Sequence, residues 1–216
     1  LFSMVPLTGN TLLDVGSGNG VIANVLAGRF KNITLTDNSM VLIDNLAKRF
    51  SARSDVSVKY LDAENPDSTG RYDIITICDV IEHIEDDARC LKGVGGLLAD
   101  RGKLFVTVPA FMFLYGIRDE RFGHKRRYSK NQLRVLLKEA GFSIEKIKYW
   151  NFIGVVPYFI SERMLKKPLM APARFYQKDD KFSFIMNKIL FLWLKLETYV
   201  PVPCGLTIMV IASRTK

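Results

Sequence analysis

Residues Leu12-Leu13-Asp14-Val15-Gly16-Ser17-Gly18-Asn19-Gly20 run an apolar strand directly into a glycine-rich turn that opens a helix. Glycines at 16, 18 and 20 let the backbone turn sharply and approach a ligand with no Cβ in the way. At the first strand of an alternating β/α pattern, that arrangement marks a nucleotide-cofactor site. A dinucleotide fingerprint needs G-x-G-x-x-G, but here the third glycine comes one residue early and Val21 stands in its place. Pyrophosphate binding is therefore disfavoured. Asp37 ends the next apolar run, Asn32-Ile33-Thr34-Leu35-Thr36, where a carboxylate can accept hydrogen bonds from both hydroxyls of a ribose.

The apolar runs continue this alternation. Strands are expected at 11–15, 32–36, 56–60, 72–77 and 103–108, the last stopped by Pro109, with helices at about 19–29, 39–50 and 85–98. This order predicts an α/β fold with a doubly wound, mostly parallel sheet, helices on both faces and the ligand outside the carboxyl ends of the strands. Ser39 and Ser129 are candidate N-caps, and Gly141 is a candidate stop for the helix carrying Leu133, Leu136 and Leu137. Residues 142–149 alternate apolar with polar, as a half-buried strand does, and 206–212 form a final β-branched run.

With the Leu-Asp-Val-Gly-Ser-Gly-Asn-Gly turn, Asp37, the Leu61-Asp62-Ala63-Glu64 segment and the run from Tyr72 through Asp79-Val80-Ile81-Glu82-His83-Ile84, the chain resembles the class I S-adenosylmethionine-dependent methyltransferases. The resemblance covers roughly residues 11–149. It implies a Rossmann-like sheet of seven strands whose last strand is antiparallel, and S-adenosylmethionine as cofactor. It places Asp14 and the backbone of Gly16, Ser17 and Gly18 around the methionine portion, near Gly20. Asp37 and Asn38 then fall at the ribose, Asp62 and Ala63 at the adenine edge, and Cys78 and Asp79 near the amino group. The expected organisation is a cofactor-binding core over 1–149, a helical insertion over 150–204 and a final core strand over 205–216.

Two histidines offer acid–base chemistry. Glu82 and His83 are expected at the start of the helix after the fourth strand, where the helix N-terminus would depress the imidazole pKa; local ordering of the turn is the alternative role for His83. The long segment from Pro109 to Tyr128 leaves the carboxyl end of the fifth strand, an edge that favours functional loops. Its Gly-His-Lys-Arg-Arg-Tyr stretch resembles a loop of bacterial methyltransferases acting in glycan and lipid pathways. It makes His124 a candidate general base for a hydroxyl acceptor, Arg126 and Arg127 candidate ligands for a substrate anion, and Tyr128 a candidate pocket wall. Ion pairing of the two arginines with Asp119 and Glu120 is the competing reading.

The insertion is the second distinctive feature. Phe182, Ile185, Met186, Ile189, Trp193 and Leu196 recur at helical spacing, giving an amphipathic helix that can pack on the domain, close over substrate, meet a second copy or lie against a membrane. The apolar run 152–160 and Lys166-Lys167 add to it, while Lys188 and Lys195 interrupt any membrane span. Residues 1–100 carry 9 Lys and Arg against 14 Asp and Glu; residues 101–216 carry 22 against 8. The basic half would attract an anionic acceptor, a lipid headgroup or RNA. Three scattered cysteines and two histidines argue against a zinc site, so no metal is expected, and they fit a cytoplasmic setting, with peripheral contact at the inner membrane face as an extension. No signal peptide is visible, and because the chain begins at Leu1 a preceding segment is expected.

These features give O-methylation of a small-molecule, glycan or lipid-linked acceptor as the expected activity. An RNA methyltransferase, for which no RNA-binding module is evident, and a non-catalytic cofactor-binding or membrane-peripheral module are the alternatives. An aminopropyl transferase of the same fold lacks an acidic amine-binding loop after the fourth strand.

Overall fold

The computed structural model describes residues 9–66, 70–166, 181–197 and 199–215, with 181–187 described by their backbone alone. In chain order the elements are β1 (Gly9–Val15), α1 (Val21–Val25), β2 (Phe30–Asp37), α2 (Met40–Arg49), β3 (Val56–Tyr60), β4 (Tyr72–Cys78), α3 (Asp87–Gly95) and β5 (Leu98–Pro109). They continue with α4 (Ile117–Phe122), α5 (Lys130–Glu139), β6 (Phe142–Trp150), α6 (Val155–Phe159), α7 (Lys181–Leu196) and β7 (Thr207–Arg214). A 3₁₀ turn, Met112–Leu114, precedes α4, and a π-helical turn, Ile160–Met164, follows α6.

The strands form one seven-stranded sheet in the order β3-β2-β1-β4-β5-β7-β6. Pairing is parallel from β3 to β5, and β7 runs antiparallel to both β5 and β6, as expected. Strand order reverses direction at the β1/β4 boundary, which opens a crevice at the carboxyl ends of those two strands. The apolar runs explain the burial. Leu12, Leu13 and Val15 of β1, Ile75 and Ile77 of β4, and Leu104, Val106 and Val108 of β5 are almost wholly inaccessible. Successive residues point to opposite faces, so these strands feed two separate cores, one containing Leu13, Ile75 and Val106 and the other Leu12, Ile74 and Phe105.

Local signals decide the helix ends unevenly. Ser129 caps α5 as expected: its Oγ accepts from the Gln132 N–H while Gln132 Oε1 accepts from the Ser129 N–H, a reciprocal capping box. Gly141 follows the C-cap at φ +86°, a conformation that suits glycine after a helix. Ser39 occupies the N-cap of α2, but its side chain makes no capping bond; its N–H instead donates to Asp37. The first helix is shorter than expected, and the third begins only at Asp87, capped by Asp86. Residues 80–84 are therefore a turn, and His83 does not sit at a helix N-terminus. Of the insertion, α6, the π turn and α7 are described; the side chains of Phe182, Ile185, Met186 and Asn187, and Lys167 as a whole, lie outside the described residues. Among the described residues no helix is long and apolar enough to cross a membrane.

Candidate active site

The cofactor side of the site is a cleft lined by Val15, Gly16, Asp37, Asn38, Leu61, Asp62, Ala63, Glu64, Asp79, Val80, His83 and Ile84. These residues come from the carboxyl ends of β1, β2, β3 and β4, the place at which an open α/β sheet binds its ligands. Gly16 stands at φ +68°, and a Cβ there would come within 2.5 Å of Val80, so the turn needs glycine for both conformation and space. Gly20 packs away from the cleft, where a Cβ would strike the Phe50 ring at 2.5 Å.

Hydrogen bonds fix the turn to the neighbouring strand. The Ser17 N–H donates to the Thr36 carbonyl at 2.8 Å, and the Ser17 hydroxyl donates to the Asp14 carbonyl at 2.9 Å. Ser17 is thus a buried brace rather than part of the cleft wall. Asp37 accepts from the Gly18 N–H on Oδ2 at 3.1 Å and from the Ser39 N–H on Oδ1 at 3.0 Å. Each oxygen keeps a second lone pair, so the carboxylate is held rigidly and still has acceptors to offer a diol.

Asp14 is buried, and its Oδ1 accepts from the Thr76 hydroxyl at 2.7 Å while Oδ2 has no hydrogen-bond partner. Burial pushes its pKa up to about 6 against the pull of that hydroxyl. A buried carboxylate oxygen without a partner suits a cationic amino group. This donor set therefore fits an amino-acid-bearing nucleoside: Asp14 for the ammonium end, Asp37 for the ribose, and Asp62 with Ala63 for the base. Asp79 also lines the cleft, at φ +53°, with its N–H bonded to the Thr107 carbonyl at 3.0 Å; a non-glycine residue in this region is locally strained, a feature concentrated at functional sites. Cys78, the preceding residue, does not line the cleft, and burial raises its thiol pKa well above the ordinary range.

A second cluster, beside the cleft, is assembled from the turn after β4 and the loop after α4. His124 Nδ1 lies 2.7 Å from Asp119 Oδ1, and the same carboxylate takes the Arg127 Nε–H on both oxygens at 2.9 Å. Tyr158 of α6 completes the network through its hydroxyl, bonded to Asp119 at 3.3 Å and to the Arg127 guanidinium. With Nδ1–H directed at Asp119, His124 presents its Nε2 lone pair 3.9 Å from Glu82 Oε1. The His83 ring meets the His124 ring edge-on at 4.7 Å between centroids.

Glu82 is the least expected member. It is fully buried, neither carboxylate oxygen has a hydrogen-bond partner, and burial, with Asp79 second, pushes its pKa up to about 9. The His83 pKa is lowered, as the sequence suggests, but the cause is burial followed by repulsion from His124 and not a helix terminus. A charged residue inside the apolar run Val80-Ile81-Glu82-His83-Ile84 was the available signal for Glu82. Asp119 is expected from the sequence as an ion-pair partner of the arginines, and Tyr158 carried no comparable signal.

Arg127 follows the ion-pairing reading with Asp119, whereas Arg126 is ion-paired with Asp87 and not with Asp119 or Glu120. Arg127 is buried, with its guanidinium committed to Asp119, the Ala110 carbonyl and Tyr158, so it cannot also hold a substrate anion. Arg126 pairs with Asp87 at 3.1 Å and with the Glu85 carbonyl. Tyr128 is buried and donates to Asp87 at 2.7 Å, away from the cofactor cleft; with Arg126 it walls a second, apolar cavity beside Val135 and Leu136.

Comparison with known proteins agrees with this geometry. Residues 2–147 match a family profile described as a methyltransferase domain. The chain is 33% identical over 107 residues to a ubiquinone biosynthesis O-methyltransferase of Coxiella burnetii, covering 48% of this chain and 45% of that protein, so it spans about half the length of such curated relatives. Among solved structures, an S-adenosylmethionine-dependent methyltransferase from Clostridium acetobutylicum superposes with a TM-score of 0.62 at 15% identity, covering 96% of this chain and 85% of that one. The N-methyltransferase NodS from Bradyrhizobium japonicum, in complex with S-adenosyl-L-homocysteine, superposes with a TM-score of 0.54 at 19% identity, over 65% of this chain and 69% of that one. The chain belongs to the class I S-adenosylmethionine-dependent methyltransferases, with S-adenosylmethionine as its cofactor.

Proposed function

We propose that this methyltransferase acts on an oxygen atom of an apolar or lipid-linked acceptor, glycan-bearing acceptors included. The observation that carries the reading is the imidazole of His124, oriented by Asp119 at 2.7 Å and flanked by His83, a residue that itself lines the cofactor cleft. The cofactor supplies a methyl group already activated on a sulfonium, so the chain's tasks are to align an acceptor and, for a hydroxyl, to remove its proton. An amine with a free lone pair would need no such base at the moment of attack. Asp119 sets the tautomer that leaves Nε2 open, and Arg127 and Tyr158 keep Asp119 ionised and in place: its pKa is lowered by the hydrogen bonds from His124 and Arg127, which outweigh its burial. O-methyltransfer is also the activity in the name of the Coxiella burnetii relative, which is about twice the span of the match.

An apolar acceptor is supported by the rim of the site. Phe122, 61% exposed, lies 6.2 Å from the His124 ring, and exposed Phe113 meets Phe159 of α6 at 6.4 Å. Large aromatic side chains left in water beside a catalytic histidine suit a hydrophobic ligand better than a polyanion. The test is a screen with a radiolabelled methyl donor against lipid extracts, phenols, nucleotide sugars and RNA. Label in the organic-extractable fraction supports the proposal; label confined to RNA, or stable only as N-methyl product, overturns it. In the same assay His124→Gln is expected to lower kcat at least 100-fold with cofactor affinity unchanged by calorimetry. Parallel losses in both would remove His124 from the base role.

A further inference from the structure

The structure assigns a divalent transition-metal site to Glu82, His83 and His124, contrary to what the scarcity of cysteine and histidine suggests. One ligand atom from each of the three residues can be taken so that all lie within 4.8 Å of one another. Tetrahedral ligands at about 2.1 Å from an ion stand roughly 3.4 Å apart, so side-chain adjustments of about an ångström would close the set. The 3.9 Å between Glu82 Oε1 and His124 Nε2 is already close to that spacing.

Three features separate this cluster from a chance meeting of polar side chains. The Glu82 carboxylate is fully buried with neither oxygen hydrogen-bonded, a costly arrangement unless a cation or donor completes it. The 2.7 Å contact from His124 Nδ1 to Asp119 reproduces the carboxylate–histidine pairing that holds metal-ligating imidazoles in one tautomer, leaving Nε2 as the ligand atom. The loop is also anchored to the turn after β4: the Lys125 N–H donates to the Glu82 carbonyl at 2.8 Å, so residues 82 and 124 are fixed in register with each other. The neighbouring cation, Arg127, is neutralised by its own Asp119 contacts, and the buried carboxylate of Asp79 adds negative potential felt by both imidazoles.

Two imidazoles and one carboxylate favour a borderline ion such as zinc, cobalt, iron or manganese over magnesium, which prefers an all-oxygen shell. Three protein ligands leave open positions beside the cofactor cleft. In the ion-loaded protein His124 is a ligand, and a hydroxyl oxygen bound to the ion gives up its proton to solvent more readily. That oxygen then forms the bond to the methyl carbon as the carbon–sulfur bond breaks, with the electron pair passing to sulfur. This catalytic consequence rests on the hydroxyl-acceptor reading above; the binding site itself does not.

Binding is therefore tested without acceptor. Protein free of any polyhistidine tag is stripped with chelator and titrated with Co²⁺ by visible absorption and with Zn²⁺ by calorimetry. The expected result is one ion per chain with ligand-field bands in the visible, at least a 100-fold loss of affinity in both Glu82→Gln and His83→Asn, and no competition from millimolar Mg²⁺. S-adenosylmethionine affinity, measured in parallel, reports that each variant is folded. Wild-type protein that binds the cofactor but neither ion, or variants that bind ions as tightly as wild type, overturns the site. Because no acceptor enters the experiment, either failure leaves the assignment of an oxygen acceptor standing.

Discussion

At the scale of single residues, carboxylates in three settings do different work. Asp37 is held by two backbone N–H groups and keeps lone pairs that can accept from a diol. Asp37→Asn removes the charge that strengthens those bonds, and the cofactor Kd measured by calorimetry is expected to rise about 10- to 100-fold. Asp14 is buried with a pKa raised to about 6, so the native state binds its proton more tightly than the unfolded chain, where the ordinary value of 3.8 applies. Its contribution to stability is complete below pH 3.8 and is lost as pH rises through about 6. Urea unfolding of cofactor-free protein at pH 4 and pH 7 should show a loss of stability that Asp14→Asn reduces by on the order of 2 kcal/mol. An identical pH dependence in wild type and variant would contradict this account. The third carboxylate, Glu82, differs from both in having no hydrogen bond on either oxygen, with His124 Nε2 standing 3.9 Å from Oε1.

At the scale of elements, the loop between β5 and α5 is held by charge where the sheet is held by apolar packing. Asp119, Arg127 and Tyr158 join α4, the strand-like return before α5, and α6 of the insertion into one buried network. Arg127→Met leaves the Asp119 carboxylate buried without its main partner. The expected cost is about 3–5 kcal/mol by chemical denaturation, larger than that of Ser129→Ala, which removes half of the α5 capping box for about 1 kcal/mol. If Arg127→Met cost no more than the cap, the network would be a surface ornament. The same network explains why the sequence left two readings open for Arg127: adjacent basic residues look equivalent in a string, whereas Arg126 reaches Asp87 and Arg127 points into the protein.

At the scale of the whole molecule, the last strand in sequence is an interior strand of the sheet. β7 lies between β5 and β6, with Val106 opposite Val210 and Ile147 opposite Val210 on its other side. Removing residues 205–216 would strip both neighbours of a hydrogen-bonded ladder and expose Ile208, Val210 and Ala212 contacts in the larger core. Such a truncation is expected to lose cooperative thermal unfolding, as followed by near-ultraviolet circular dichroism. The insertion thus lies between two strands that pair across the sheet, and its helices are positioned by them: the Phe152 N–H donates to Glu197 Oε2 at 3.0 Å, and the Trp150 indole N–H to the Leu194 carbonyl at 3.1 Å. Apolar side chains of α7 remain in water, Phe191 and Leu192 among them, on the basic side of the charge division read from the sequence.

The sequence by itself determined the mostly parallel sheet, the glycine turn, the place of Asp37 at the end of β2 and the cofactor, because these depend on local periodicity and on turn chemistry spanning a few residues. It also determined that α5 starts at Ser129 and stops before Gly141. Only the tertiary structure decided how the cluster beside the cleft is assembled. Glu82 and His124 are 42 positions apart in the numbering and meet because the long loop returns across the sheet edge to bond at the Glu82 carbonyl. A carboxylate's partners, burial and charge state are properties of that meeting. They are set by which segments close around it, and no pattern of spacing along the chain encodes them.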